Sequence, residues 1–305
     1  MRVVFMGTPA FAATCLSRIS TGEFEIVGVY SKIDTPKNRG MKLAISEVKA
    51  EALEKGYPIY QPLTFKDDAV YEELKALCPD VIVAVAYGKI LPQRVLDIPK
   101  FGCINIHGSI LPALRGAAPV QWAVLNGLEE TGVTAMYMSA GMDEGDIIEI
   151  RKTSVDPSET AGELMDRLAL IGADLLYDTL KHVETSGLLP ATHQDSMLAT
   201  YAPILTKELS PIDWGKTARQ IVCQIHGLDP WPAATSELCG THFKIFGAEC
   251  SDIQSDCAPG TPIELNKKGL LVACKDGSVL VTELQADGGK RMCAPDYFRG
   301  HPISL

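Results

Sequence analysis

Hydrophobic residues in the first two thirds of the chain alternate between short dense runs and a helical spacing. Dense runs rich in Val and Ile predict strands, and apolar residues that recur every three or four positions predict helices. The predicted strands are Arg2–Met6, Glu25–Tyr30, Val81–Ala86, Gly102–His107 and Val133–Ser139. The helices predicted between them are Ala10–Ile19, Ala44–Gly56, Asp68–Leu77 and Ala118–Asn126. This alternation indicates a Rossmann-like α/β domain, in which helices cover both faces of a mostly parallel sheet.

The hydrophobic pattern changes in the last third of the chain. A long helix over residues 163–185 is followed by a stretch with little periodicity and then by short strands between glycine-containing turns. After a helix around Lys216–His226, the predicted strands are Thr241–Gly247, Gly260–Leu265, Gly269–Ala273 and Ser278–Glu283. Such strands indicate a small antiparallel barrel. We therefore predict an α/β domain over 1–188, a linker over 189–206 and a C-terminal barrel domain over 207–305.

The segment CINIHGSILP places two polar side chains at the end of a predicted strand. Side chains alternate between the two faces of a strand, so Asn105 and His107 share one face. Ligands of open α/β sheets bind outside the carboxyl ends of the strands, which is where these two residues fall. We expect a functional site at this position.

A second polar cluster follows the next predicted strand, in the segment SAGMDEGDIIEI. Asp143 lies between two glycines, Gly141 and Gly145, in a loop that can bring backbone and carboxylate close to a ligand. If this strand neighbours the strand that ends at His107, the carboxylate and the imidazole meet at the same edge of the sheet. The two clusters then form one site.

An amide, an imidazole and a carboxylate without a neighbouring nucleophile suit acyl transfer to an amine. One group must stabilise the carbonyl oxygen as it gains negative charge, and another must move protons. Structural roles explain the same residue types: Asn105 and His107 can be a satisfied hydrogen-bonding pair, Asp143 a turn former and Ser109 a cap. The spacing alone does not decide between these interpretations.

Composition and charge narrow the function classes further. The formal net charge of −10 argues against a general nucleic-acid binder, which needs a basic surface. No apolar run approaches the roughly 20 residues that span a bilayer. The nine cysteines include no C-x-x-C pair, so we expect reduced thiols in a cytoplasmic protein and no metal site. The first turn has one glycine, Gly7, where a dinucleotide-binding motif has three, which argues against a nicotinamide cofactor.

Several segments resemble one known family over almost the whole chain. NIHGSILPALRGAAPVQWAVLNG and, further on, GMDEGDI resemble the folate-dependent formyltransferase superfamily, whose core pattern is N-I-H-x-S-L-L-P with D-x-G. The segments MGTPAFAATCL, RGMKL, VAVAYGKILP, DPWPAA and LQADGGKRMCAPDYFRGH resemble the members of that superfamily that act on methionyl-tRNA. The single-domain members that formylate glycinamide ribonucleotide lack the closing segments.

The resemblance implies a reaction and a set of site residues. The reaction is transfer of the formyl group of 10-formyltetrahydrofolate to the methionine amine of initiator Met-tRNA, without a metal. By motif position, Asn105, His107 and Asp143 resemble the catalytic trio. The positions that resemble folate-contacting segments are Ser109, Ile110, Leu111 and Pro112 in one turn and Val85, Ala86, Tyr87 and Gly88 in another. One departure is the pair Ala113 and Leu114, where the family commonly has a basic residue and an aromatic one.

A local cluster of positive charge is the expected contact with tRNA. The segment SKIDTPKNRGMK contains Lys32, Lys37, Arg39 and Lys42 against one acidic residue, Asp34. Such a charge run is commonly only a solvated surface. In the enzymes that this chain resembles, the corresponding loop enters the acceptor end of the tRNA, and Arg39 occupies the position of its key arginine. The C-terminal barrel over 207–305 resembles an OB-like tRNA-binding domain that lies along the acceptor arm, and 1–188 resembles the catalytic domain of these enzymes.

Three other functions share part of this pattern. A formyltransferase acting on a sugar-nucleotide amine shares the trio and DPWP, but the Arg39 loop and GGKRM argue against it. A formyltetrahydrofolate hydrolase would use water as the acceptor and usually carries an N-terminal regulatory domain. A binding module without turnover would not need the trio. We expect a monomer that does not associate with membranes.

Overall fold

The chain folds into two compact units in the structure, a computed structural model that describes residues 1–37 and 42–303. Unit 1 comprises Met1–Pro119, Gly132–Thr153 and Met165–Ala202. Unit 2 comprises Val120–Thr131, Ser154–Leu164 and Pro203–Leu305. Each unit is built from a sheet with helices packed on it.

Regular elements follow one another along the whole described chain. The strands are β1 (Arg2–Gly7), β2 (Glu25–Tyr30), β3 (Thr35–Lys37), β4 (Lys42–Ala44), β5 (Ile59–Tyr60), β6 (Val81–Val85), β7 (Cys103–His107), β8 (Arg115–Gly116), β9 (Glu130–Tyr137), β10 (Ile147–Ser154), β11 (Tyr201–Ala202), β12 (Ala234–Leu238), β13 (Thr241–Ser251), β14 (Pro262–Leu265), β15 (Leu270–Cys274), β16 (Gly277–Ala286) and β17 (Met292–Cys293). The helices are α1 (Ala10–Ile19), α2 (Glu47–Lys55), α3 (Asp68–Ala76), α4 (Gln93–Leu96), α5 (Pro119–Leu125), α6 (Ala161–Ser186), α7 (Ala218–Gly227) and α8 (Ala294–Gly300), with short 3-10 turns at Ser196–Leu198 and Lys207–Leu209.

The central sheet confirms the prediction of a mostly parallel α/β domain. Its strand order is β10-β9-β7-β6-β1-β2-β5, and β7, β6, β1, β2 and β5 run parallel to one another. Strand β9 is the exception, because it pairs antiparallel with β7. The five strands predicted from hydrophobic runs match β1, β2, β6, β7 and β9 within three residues at each end. Strands β5 and β10 were not predicted, since neither is a dense apolar run.

The sheet is held by a core that explains the dense apolar runs. All five residues of β6 are buried, as expected for an inner parallel strand covered on both faces. On one face, side chains of β1, β2 and β6 pack with residues from the helices and loops that follow. This cluster includes Val4, Met6, Tyr30, Ile82, Ala84, Phe65, Leu74, Tyr87 and Leu91. The rigid sheet fixes the positions of the loops at its carboxyl edge.

Unit 2 contains the antiparallel strands predicted for the last third of the chain. Their order is β12-β13-β16-β15-β14, with β17 on β16, and every pairing is antiparallel. Helix α7 begins with a capping box in which Thr217 and Gln220 satisfy each other's backbone N–H groups. This architecture agrees with the predicted OB-like domain.

An ion pair between a buried carboxylate and an exposed arginine joins two of the motifs that the sequence singled out in unit 2. Asp229, which opens the DPWP turn, is buried, and both its carboxylate oxygens lie 3.1 Å from guanidinium nitrogens of Arg291 in the GGKRM segment. The same guanidinium contacts Glu283 at 2.7 Å and lies 4.3 Å from the ring centre of Phe246. One structural contact therefore joins the DPWP and GGKRM segments.

The segment predicted as a linker pairs with strands of unit 1 over part of its length. Thr192 and Ile147 exchange two backbone hydrogen bonds of 2.8 Å, and β11 pairs parallel with β8. The little periodicity of this segment is explained by the shortness of its elements. Among the helices of the described residues, none is long and apolar enough to cross a membrane.

The backbone of Tyr137 passes so close to residue 145 that only glycine fits there. A Cβ atom at this buried position would overlap the carbonyl oxygen of Tyr137. We expect Gly145→Ala to lower the free energy of unfolding by about 1–3 kcal/mol, as overpacking does, measured by urea denaturation. Gly300→Ala is the control, because its Cβ would meet open space. Equal unfolding midpoints for the two variants would contradict the steric argument.

Candidate active site

Strand β7 presents two polar side chains on one face at the centre of the sheet. Asn105 is half-buried and His107 is 6% exposed, and both follow Cys103 on the same face of the strand. Burial raises the pKa of the Cys103 thiol to about 12, and its sulfur lies 3.8 Å from the carbonyl oxygen of Leu96. The thiol is therefore protonated near neutral pH and is a poor nucleophile.

The loop between β9 and β10 brings Asp143 to these two residues. One carboxylate oxygen, Oδ1, accepts a 3.4 Å hydrogen bond from Asn105 Nδ2. The other, Oδ2, accepts a 2.8 Å bond from the backbone N–H of Gly116 and lies 3.7 Å from His107 Nδ1. The structure thus brings together the three residues that the sequence proposed for catalysis.

The route by which Asp143 reaches His107 differs from the one predicted. We expected the two residues to meet at one edge of the sheet if the strand before Asp143 neighbours the strand that ends at His107. Strand β9 instead runs antiparallel to β7, with His107 opposite Thr134 and Ile104 opposite Tyr137. The end of β9 therefore lies at the beginning of β7, and the loop folds back over Asn105. The antiparallel direction was not visible in the sequence, since an apolar run does not encode strand direction.

The imidazole of His107 is oriented by a backbone carbonyl. Its Nε2 lies 2.9 Å from the carbonyl oxygen of Leu114. A carbonyl only accepts hydrogen bonds, so Nε2 carries a hydrogen and Nδ1 is the nitrogen that can gain or lose a proton. The distance of 3.7 Å from Nδ1 to Asp143 Oδ2 exceeds that of a direct hydrogen bond, so the two groups interact through charge. Leu114 itself has a positive φ of 58° and donates its N–H to Thr200 Oγ1 at 2.8 Å.

Two hydroxyl groups hold the turn after β7: that of Ser109 within the turn and that of Thr134 on β9. Ser109 is buried, and its Oγ donates to the carbonyl oxygen of Ala113 at 2.6 Å. The hydroxyl of Thr134 donates to the carbonyl of Ser109 at 2.6 Å and accepts the N–H of Leu111 at 3.2 Å. Leu111 is also buried, whereas Ile110 and Pro112 are only partly buried. The side chains of Ile110 and Pro112 are therefore accessible to a ligand, whereas the Ser109 hydroxyl is hydrogen-bonded within the turn.

The loop after β6 lies next to this turn, because β6 and β7 are parallel neighbours. Val85 is fully buried and Tyr87 is 4% exposed, so both side chains belong to the core. Burial raises the pKa of the Tyr87 phenol. Ala86 and Gly88 are exposed and have positive φ values of 44° and 70°. This loop can thus contact a ligand through Ala86, Gly88 and the backbone.

The basic residues of the first-domain segment are only partly described. Lys32 is exposed, and its ammonium group lies over Gly88, where a Cβ atom would overlap it. Lys37 is the backbone partner of Lys42 in the antiparallel pair β3–β4. Arg39 lies outside the described residues.

Several residues that shape the site were missed in the sequence. The N–H of Gly116 binds Asp143, Thr200 holds the Leu114 backbone, and Gln194 binds the backbone of the Asp143 loop. Gln194 and Thr200 fall in the stretch predicted as a linker, and no spacing relates them to the trio. In the described part of the chain, no cluster of three or more His, Cys, Asp or Glu side chains could hold a metal ion.

The geometry is suited to acyl transfer without a covalent intermediate. The Asn105 amide can donate to a developing oxyanion, and the imidazole next to a carboxylate can exchange a proton. The neighbouring Ser109 hydroxyl is bonded within its turn, and the Cys103 thiol is protonated. An external nucleophile, such as a substrate amine, would fit these groups.

Comparison with protein families matches both parts of the chain. Residues 1–180 match the family described as formyl transferase, and residues 204–302 match the formyl transferase C-terminal domain. A solved N-formyltransferase from Helicobacter canadensis, in complex with folinic acid and dTDP-3-aminofucose, has a similar fold with a TM-score of 0.70. It is 19% identical and the match covers 92% of this chain and 98% of that one, so it is informative about the fold alone.

Curated relatives are similar over nearly the full length. The methionyl-tRNA formyltransferase of Ruminiclostridium cellulolyticum is 42% identical, with 99% of this chain and 97% of the relative covered. The methionyl-tRNA formyltransferase of Clostridioides difficile is 43% identical, with 99% and 98% covered. Since identity at this level extends through both matched domains, the chain belongs to the methionyl-tRNA formyltransferase family.

Proposed function

We propose that this protein transfers the formyl group of 10-formyltetrahydrofolate to the α-amino group of methionine on initiator Met-tRNA. The product is N-formylmethionyl-tRNA, which is used to initiate translation. The observation that carries the proposal is the identity of 42–43% to methionyl-tRNA formyltransferases over both domains. The arrangement of Asn105, His107 and Asp143 supports the same chemistry.

The reaction requires one bond to form and one to break at the formyl carbon. The methionine amine attacks that carbon, and the carbonyl oxygen becomes an oxyanion in the tetrahedral intermediate. The bond between the carbon and N10 of the folate then breaks as the C=O bond reforms. One proton leaves the attacking amine and one reaches N10, so the overall transfer is balanced without a metal or a redox partner.

The trio can supply both requirements of this reaction. Asn105 donates its amide hydrogen to the oxyanion, and His107, when protonated at Nδ1, donates a second hydrogen bond. Asp143 stabilises the imidazolium from 3.7 Å and helps to move the proton. The carbonyl of Leu114 keeps Nε2 occupied, so the proton is exchanged at Nδ1.

The folate co-substrate is proposed to bind along the two neighbouring loops. Residues 109–112 would contact it through Ile110 and Pro112, with Ser109 and Leu111 shaping the turn from inside. Residues 85–88 would contact the pterin through Ala86, Gly88 and the backbone, since the side chains of Val85 and Tyr87 are buried. The Helicobacter canadensis enzyme was solved in complex with folinic acid, a formylated folate, which supports the proposal that this fold binds a folate.

The tRNA is proposed to contact both ends of the chain. The segment with Lys32, Lys37, Arg39 and Lys42 would bind its acceptor end, and the C-terminal domain over 207–305 would lie along the acceptor arm. Domain 1–188 would carry catalysis, with 189–206 as the connection. Binding of the polyanion would depend on these local cations, because the whole chain carries a net charge of −10.

A formyl-transfer assay tests the function itself. Purified protein and 10-formyltetrahydrofolate are incubated with Met-tRNA, with a dTDP-amino sugar, or with neither acceptor. We expect N-formylmethionyl-tRNA in the first reaction and no product in the others. Formylation of the amino sugar alone would instead support the sugar-nucleotide alternative, and folate hydrolysis without an acceptor would support the hydrolase.

Replacement of Asp143 tests its support of the imidazole. Asp143→Asn keeps the shape but removes the charge that stabilises imidazolium, so kcat should fall at least about a hundredfold while folate binding persists. Asp146→Asn is the matched control in the same loop, because that carboxylate bonds only to the exposed His193 among the contacts described. Near-normal kcat for Asp143→Asn would remove this carboxylate from the mechanism.

Replacement of Asn105 and His107 separates catalysis from folding. Asn105→Ala removes one donor to the oxyanion and should lower kcat by about 10²–10³-fold. His107→Gln retains an amide that can donate to Leu114 but cannot exchange a proton, and we expect a similar loss. Thermal unfolding of both variants should stay close to that of the wild type. If both fail to fold, their role is structural.

Replacement of Arg39 tests the tRNA contact. Arg39→Ala should raise the KM for Met-tRNA strongly and flatten the salt dependence of its binding by roughly one unit of log–log slope. Affinity for 10-formyltetrahydrofolate should not change. Arg39→Lys keeps the charge but loses the planar fork, so poor rescue indicates specific contacts of the guanidinium.

Arg18→Ala is the control for the loss of a surface arginine. Arg18 lies in the last turn of α1 and pairs with Asp174 at 2.8 Å. Arg18→Ala should leave the kinetics for Met-tRNA unchanged. Unchanged Met-tRNA kinetics in both Arg39 variants as well would contradict the proposed role of this segment.

A further inference from the structure

A buried glutamine from outside the trio holds the backbone of the Asp143 loop. Gln194 is 2% exposed and lies 51 residues beyond Asp143 in the chain. Its Nε2 donates to the carbonyl oxygen of Asp143 at 2.9 Å and to that of Gly145 at 2.7 Å. One side-chain amide thus grips the loop on both sides of Glu144.

The orientation of this amide is fixed by a buried arginine. Arg115 is 1% exposed, and its Nε and Nη2 donate to Gln194 Oε1 at 3.1 Å and 2.8 Å. Its Nη1 lies 3.7 Å from Glu144 Oε1. Because the guanidinium only donates, it must face the oxygen of the Gln194 amide, which leaves both N–H donors for the loop. A buried guanidinium is costly unless it is satisfied in this way.

The loop needs such support because its backbone conformation is unfavourable. Asp143 has a φ of 53°, in the left-handed region that residues with a side chain seldom adopt. This conformation aims the carboxylate at the Gly116 N–H, the Asn105 amide and His107. If the carbonyls on either side of Glu144 were released, the carboxylate would lose its fixed distance from the imidazole.

The structure assigns Gln194 as a positioning residue: oriented by Arg115, it holds the Asp143 carboxylate against His107 and Asn105. The assignment deepens the function proposed above and rests on it for its kinetic consequence. Gln194 acts through Asp143 and has no proposed contact with the reacting atoms. The stretch that the sequence predicted as a linker, of which residues 189–202 lie within unit 1, would therefore contribute to catalysis.

Gln194→Glu is the most informative substitution. A carboxylate of the same size can still pair with Arg115, so the guanidinium keeps a partner. The two N–H donors are lost, however, and an oxygen replaces them against two carbonyl oxygens. Gln224→Glu is the matched control, because Gln224 Nε2 donates in the same way to the carbonyls of Leu209 at 2.8 Å and Pro211 at 3.0 Å in unit 2.

The kinetic test compares kcat with KM. Misplacement of a catalytic group by about 1 Å can cost about a hundredfold in rate, so we expect Gln194→Glu to lower kcat by about 10–100-fold. KM for Met-tRNA and for 10-formyltetrahydrofolate should change by less than about threefold, because the binding groups are retained. Gln224→Glu should behave like the wild type. A kcat of Gln194→Glu within about twofold of the wild type would overturn the assignment.

A double-mutant cycle distinguishes positioning from general stabilisation. If Gln194 acts through the Asp143 carboxylate, Gln194→Glu should lower kcat by less than about twofold when Asp143 is already Asn. A loss of the same factor in both backgrounds would show that Gln194 does not act through Asp143. Thermal unfolding confirms that folded proteins are compared. If Gln194→Glu does not fold, Gln194→Met, of similar length and without charge, is measured instead.

Hydrogen exchange tests the same contact without relying on activity. The N–H of Gly116 donates to Asp143 Oδ2, so its exchange rate reports how firmly the carboxylate is held. In Gln194→Glu without substrates, we expect the Gly116 amide to exchange about tenfold faster, with no change in Gln224→Glu. Unchanged exchange would overturn the assignment even if the wild type formylates Met-tRNA. If exchange is faster in Gln194→Glu but the wild type fails to formylate Met-tRNA, the contact is retained and the proposed function is refuted.

Discussion

The site depends on the placement of one carboxylate between a backbone N–H and a side-chain amide. Asp143 accepts bonds from Gly116 and Asn105, which aims one of its oxygens at the imidazole of His107. The opposite side of that imidazole is fixed by the carbonyl of Leu114. Nδ1 therefore faces a negative charge, an arrangement that suits the proposed formyl transfer to an amine.

Three distant parts of the chain maintain this arrangement. Strand β7 supplies Asn105 and His107 from a rigid inner position of the sheet. The loop after β9 supplies Asp143 in a conformation that its sequence alone does not favour. Residues 192–202 then bind the backbones of both loops, through Gln194 on the Asp143 loop and Thr200 on Leu114. The residues that position the site are thus spread along the chain from β7 to residue 202, although the proposed chemistry uses three side chains.

The sequence predicted the elements better than their connections. Strands such as Glu25–Tyr30 and helices such as Ala10–Ile19 were predicted at their observed ends, because dense apolar runs and helical spacing are local signals. The trio was recognised from strand alternation and family resemblance, but the antiparallel direction of β9 was not, since direction is set by tertiary packing. Gln194 was missed because a glutamine in an aperiodic stretch carries no local signal, and its role appears only when the chain returns to Asp143.

The tautomer of His107 reports directly whether the imidazole is oriented by Leu114 towards Asp143. In protein labelled with ¹⁵N at its six histidines, the His107 signals are identified by their loss in His107→Gln. We predict that the neutral imidazole carries its hydrogen on Nε2, because Nε2 is bonded to the Leu114 carbonyl, and none on Nδ1. A neutral imidazole with hydrogen on Nδ1 and a lone pair on Nε2 would contradict the account.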